Sequence, residues 1–125
     1  MEMETTHVYL RIKDNILIGT YKQDVHITLD IAKEIVRSRI SFTRGATMPC
    51  IILSDGIISI DKAARNYLGS AEATLGLSAS AIIGKSAFSI VLGNFFLKLS
   101  NRNMPVKLFR SSVKAEQWLQ QFIEQ

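Results

Sequence analysis

Hydrophobic and polar positions alternate near the start of the chain. Val8, Leu10 and Ile12 interleave with Tyr9, Arg11 and Lys13, the period of two that marks a half-buried strand. Asp14-Asn15 supplies a turn and Ile16 to Tyr21 resumes extended sequence, so the two runs predict a hairpin. The period then changes. Leu29, Ala32, Val36 and Ile40 recur at helical spacing, Ile31, Ile35 and Phe42 widen the apolar face, and Asp30, Lys33, Glu34 and Arg37 form a solvated side. Thr28 is placed to cap this helix, with Asp30 in its first turn, and Gly45 ends it.

Beyond Gly45 the apolar runs become continuous. Cys50-Ile51-Ile52-Leu53, after Pro49 and before Ser54-Asp55-Gly56, predicts a central strand covered on both faces. A second helix starts near Ser59 or Asp61 and ends at Gly69. Ser80 to Ile83 forms another buried strand closed by Gly84. Ser86 caps a third helix running to about Leu99, and Pro105 to Phe109 is the last strand. Ser111 or Ser112 caps a final helix carrying Val113, Trp118, Leu119 and Phe122, with Trp118 expected to be largely buried. The order β-β-α-β-α-β-α-β-α predicts one α/β domain over residues 1–125. Its sheet is mixed, with about five strands opened by a hairpin, and about four helices cover it.

The third helix is apolar nearly all round. Phe88, Val91, Leu92, Phe95 and Leu99 form a stripe assigned to the sheet, while Ile90, Gly93 and Leu97 fall opposite. That second row is a candidate self-association seam, closing a homodimer across a two-fold axis.

Composition narrows the class. At 125 residues and 47% hydrophobic content the chain can bury a core without staples, and it is too aliphatic to be disordered. One cysteine excludes an internal disulfide framework and favours a reducing compartment, hence a cytoplasmic location. Met1 to Leu10 reads as no secretory leader. Lys85, Asn94 and Lys98 interrupt the most apolar stretch, so no transmembrane segment is expected. The net charge of +4 lies in residues 73–125, where six bases face only Glu116 and Glu124. They form no dense run and accompany no stacking or recognition-helix pattern, so no specific nucleic-acid partner is expected.

Candidate chemistry gathers where strands end, the usual place for ligands in such sheets. Ser54 and Asp55 follow one strand, Lys85 and Ser86 another, and Arg110 the last. Helix capping by the serines explains these positions as readily as ligand binding does. Gly84-Lys85-Ser86 is not a phosphate loop: Ala79 stands where the first glycine belongs, and residues 80–83 are strand. His7 and His26 lack metal-site spacing, and Cys50 reads as a buried structural thiol. No catalytic residue, cofactor or metal is expected.

The element order and one segment resemble the SpoIIAA-like, or STAS, domains, the bacterial anti-sigma-factor antagonists and their relatives. In that family a central strand leads to an acidic residue and a phosphorylatable serine at a helix start. The comparable stretch here runs from Leu53-Ser54-Asp55-Gly56 through Ser59-Ile60-Asp61 to Lys62-Ala63-Ala64. Asp61 matches the acidic position; Lys62, Ala63 and Ala64 stand where the serine and its neighbours belong, so the resemblance implies the fold without the phosphoserine switch. The later segments, Ile82 to Gly84, Asn94 to Phe96, Pro105 to Phe109 and Ala115 to Leu119, look like uncharacterised bacterial relatives. The expectation is a non-catalytic regulatory or interaction domain, its partner a protein or a second copy of itself. The edge residues Ser54, Asp55, Ser59, Asp61, Lys85, Ser86 and Arg110 would meet the partner. The alternative is a binding module for a lipid or other apolar small molecule, with an anionic head near Lys85 or Arg110.

Overall fold

The computed structural model describes residues 1–98 and 104–123. Strands β1 (Glu2–Glu4), β2 (Val8–Lys13), β3 (Ile16–Tyr21) and β4 (Val25–Ile27) precede helix α1 (Leu29–Thr43). Strands β5 (Met48–Leu53) and β6 (Ile57–Ile60) are followed by helices α2 (Lys62–Leu68) and α3 (Ala71–Thr74). Then come β7 (Leu77–Ile83), α4 (Ala87–Leu97), β8 (Val106–Phe109), α5 (Ser112–Leu119) and a 3-10 turn at Gln120–Phe122.

The predicted hairpin is present, with Val8 opposite Tyr21 and Lys13 opposite Ile16. Asp14 and Asn15 both take left-handed backbone, φ 53° and 65°, the two-residue turn whose twist suits paired strands. The main sheet is six-stranded, in the order β1-β2-β3-β5-β7-β8. Its first three strands are antiparallel and the rest join in parallel. Three short strands go beyond the expected set. β1 lengthens the hairpin edge, and β4 and β6 form a separate two-stranded ribbon where the sequence suggests connections. Three or four residues are too few for a period of two to show.

From β3 onward each parallel strand is added on the same side of the last. Crossovers of one hand then place their helices on one face of the sheet. That face carries Leu17, Cys50, Ile52, Ser80 and Ile82, and opposite them stand Val36 and Arg39 of α1 and Leu92 and Phe96 of α4. Among the described residues the other face is covered by α5 and the turn after it, with Ala115 and Leu119 packed on Ile16, Ile18, Ile51, Ala79, Ala81 and Ile83 and Phe122 and Ile123 beside them. Alternate residues of each strand therefore serve two cores, as the continuous apolar runs predict.

Three helices begin as their sequences suggest. Thr28 Oγ1 accepts from Ile31 N (3.3 Å), Asp61 Oδ1 from Ala64 N (2.7 Å) and Ser86 Oγ from Ser89 N (3.0 Å). Ser59 does not start a helix; it lies in β6. Ser111 holds the cap position of α5 without a capping side-chain bond.

Helix α4 is rotated from its predicted phase. Its inward residues are Ser89, Leu92 and Gly93, whereas Val91 is 65% exposed. A Cβ at Gly93 would stand 2.5 Å from Leu108 Cδ1, so Gly93 faces β8 and cannot belong to an outward seam. Ile90 is half-buried, Leu97 lies on the exposed side, and Leu99 falls outside the described residues. The cause is Ser89, a polar residue that a hydrophobic wheel assigns to solvent and that is wholly buried here. Trp118 is partly buried, its ring against Phe109 (5.7 Å) and Phe122 (5.1 Å), while Leu119 takes the fully buried place.

Candidate functional site

The carboxyl ends of β5 and β7 bring Ser54, Asp55, Lys85 and Ser86 together. Asp55 Oδ1 accepts hydrogen bonds from the backbone N–H groups of Lys85 and Ser86, both 2.9 Å. The Ser86 N–H bond above all, with that of Lys85, holds this carboxyl below the usual carboxylate range. Beneath it Ser54 Oγ donates to Ile83 O (3.1 Å) and shares a hydrogen bond with Ser89 Oγ (2.9 Å); both serines are fully buried. Gly84 is required between them, because a Cβ there would overlap Ser89 Cβ and lie 2.8 Å from Ser54 Oγ.

The backbone N–H groups of Lys85 and Ser86 are taken by the chain's own carboxylate, so an anionic head here would meet side chains in place of these two donors. The Lys85 side chain is exposed, and Arg110, at the end of the neighbouring strand β8, is also exposed. Neither forms an ion pair among the described residues.

Ser59 and Asp61 form a separate group at the β4–β6 ribbon. His26 Nδ1 and Ser59 Oγ are 2.6 Å apart across that ribbon, and Asp61 caps α2. Lys62 and Ala63, in the first turn, are exposed, and Ala64 is fully buried. No hydrogen bond joins this group to Asp55.

An apolar cavity lies elsewhere, in the interior of the helix-rich face. This cavity of about 130 Å³ lies among β2, β3, β5 and β7 below, and α1, α3 and α4 above. Its walls are mostly Val, Leu and Ile, with Tyr21, Arg39 and Cys50 near α1 and the small hydroxyls of Ser54, Thr74 and Ser80 as the polar exceptions. Arg39 is 7% exposed and donates from Nη1 to Leu75 O (2.8 Å) and from Nη2 to Ala73 O (2.7 Å), tying α3 to α1. Burial pulls its pKa down. Burial also pushes Cys50 and Tyr21 up to about 12 each, so both stay protonated at neutral pH.

Sequence reasoning missed this residue, yet a signal exists. Ala32, Val36, Arg39 and Thr43 recur at helical spacing and are the four buried residues of α1. An arginine on the apolar stripe of a helix is the mark of a buried cation.

A family model described as a domain of unknown function, DUF7793, matches residues 10–123. The chain belongs to the DUF7793 family. No curated protein matches it. Among solved structures, this DUF7793 chain is similar to an uncharacterized DUF3478 family protein with a SpoIIAA-like fold from Shewanella loihica PV-4. The TM-score is 0.65 at 13% identity, over 94% of this chain and 98% of that one. At that identity the likeness concerns fold alone. The fold is SpoIIAA-like, mixed α/β with a hairpin-opened sheet, as expected from the order of elements. No helix among the described residues is long and apolar enough to cross a membrane.

Proposed function

We propose that the chain is a non-catalytic regulatory domain that presents a surface to a protein partner or to a second copy of itself. It would do so without the phosphoserine switch of the anti-sigma-factor antagonists it resembles. One observation supports this reading above others, the first turn of α2. Asp61 occupies the cap, and the exposed residues after it are Lys62 and Ala63, which offer no hydroxyl to a kinase. The turn is exposed, with the N–H groups of Ala64 and Arg65 both met by Asp61. The surrounding polar residues are engaged likewise: Asp55, Ser54, Ser86 and Ser89 hold the entry of α4.

The test compares wild type with Lys62→Glu/Ala63→Glu as baits for cross-linking in the native host. A protein captured in stoichiometric amount by the wild type and lost with the folded double variant supports the reading. Capture indifferent to the variant, or none, overturns it. Light scattering decides between a foreign partner and self-association. Self-association would engage the outer side of α4, where Val91 and Leu97 are exposed, and Val91→Glu would then convert a dimer to a monomer.

A further inference from the structure

The cavity and the cation in its wall carry a separate inference. Arg39 is almost fully buried, and both acceptors it meets are neutral carbonyl oxygens. The one ion pair among the described residues joins Lys22 to Glu4, so no carboxylate compensates Arg39. A guanidinium carries five N–H donors, and these two bonds leave others available. Burying a cation without an anion is costly, and a neutral donor could tie down α3 more cheaply. The adjacent groups do not supply the missing charge, since the Tyr21 hydroxyl and Cys50 thiol both hold their protons well above neutral pH. Beside this uncompensated charge lies a cavity of about 130 Å³ with aliphatic walls. An engineered apolar cavity of about 150 Å³ takes up benzene, which sets the scale of the body an occupant would place among these walls.

We propose that this cavity binds a small organic carboxylate with a compact apolar body, its carboxylate meeting Arg39 and its body lying among Leu17, Ile82 and Leu92. The two parts of the ligand answer two features that the fold leaves open together, a charge lacking a counterion and an apolar volume lacking atoms. The inference is independent of the surface reading above, since none of these residues is exposed.

Sodium benzoate tests the idea on the full chain, with benzamide and toluene as neutral probes of similar body. Binding is followed by amide NMR shifts at Gly19, Tyr21, Ser80 and Ile82 and by thermal melting. Benzoate is expected to bind saturably, raise the melting temperature, and exceed benzamide by about tenfold or more in affinity, the value of one charge-assisted contact. Gly19→Leu fills the cavity from the sheet side. A Cβ there sits 3.6 Å from Leu10 Cδ2, an ordinary contact, so the variant is expected to fold and to lose the benzoate response. Arg39→Met should equalise benzoate and benzamide. Should that variant unfold, the wild-type preference and the Gly19→Leu result decide alone. Equal binding of benzoate and benzamide, toluene binding without benzoate binding, shifts that persist in Gly19→Leu, or no saturable binding at all would each overturn the proposal.

Discussion

At the scale of single residues, much of what stabilises this chain is polar chemistry satisfied out of sight. Cys50 and Tyr21 lose their protons only near pH 12 in the folded state, because burial disfavours the anions. The unfolded chain releases them near 9.0 and 10.0. A folded-state pKa raised in this way contributes stability that is intact below pH 9.0 and drains as the pH rises toward about 12. Denaturant titrations should therefore show stability falling across that window, with a shallower fall in Cys50→Ala. Thiol reagents should modify Cys50 slowly at neutral pH in the native protein and quickly in guanidinium. Asp55 behaves in the opposite sense. Its folded pKa is depressed, so its contribution is present above the ordinary carboxylate range and is lost as the pH falls through the folded value. Asp55→Asn should cost about 1 kcal/mol at neutral pH and flatten the acid limb of the stability profile.

Among the elements, α4 shows where a sequence speaks and where it stays silent. Its start at Ser86 is written in the local chemistry of the cap, and its existence in the apolar run. Its rotation is not. The facing direction depends on Ser54 and Ser89 meeting across 35 positions of chain, and on Gly93 letting Leu108 approach. No local window contains both partners. The same limit hid Arg39, whose partners Ala73 and Leu75 belong to α3, and the ribbon strands β4 and β6, which find each other only after α1 has intervened. All strands of the main sheet but β1, and α1, are legible because their signals, a period or an unbroken apolar run, are local. The two glycines beside α4 should separate in a melting experiment. Gly84→Ala drives a Cβ into Ser89 and the buried Ser54 hydroxyl, and is expected to cost about 2–3 kcal/mol. Gly93→Ala meets only the tip of the Leu108 side chain, which can turn aside, and should cost about 1 kcal/mol. A result in the reverse order would show that α4 is seated differently.

Across the whole molecule the two faces of the sheet are unequally covered. One face holds α1, α2 and α4 and leaves a cavity; the other depends on α5, whose Leu119 has no exposed surface. Leu119→Ala should cost about 3 kcal/mol and increase binding of a hydrophobic dye, because Leu119 is the fully buried anchor of α5 over Ile18, Ile51 and Ala81. Trp118 reports on the same event. Half-buried between Phe109 and Phe122, its emission should shift to the red when Leu119 is shortened. The order in which these coverings are made follows the order of synthesis. Each parallel strand docks beside one that already exists, with its crossover helix arriving on the same side, so the sheet can grow as the chain is translated. The opposite side stays bare throughout that growth. A chain in which β8 has docked and α5 has not carries a nearly complete sheet with a greasy underside, a natural client for a chaperone, until the eight residues of α5 close over it.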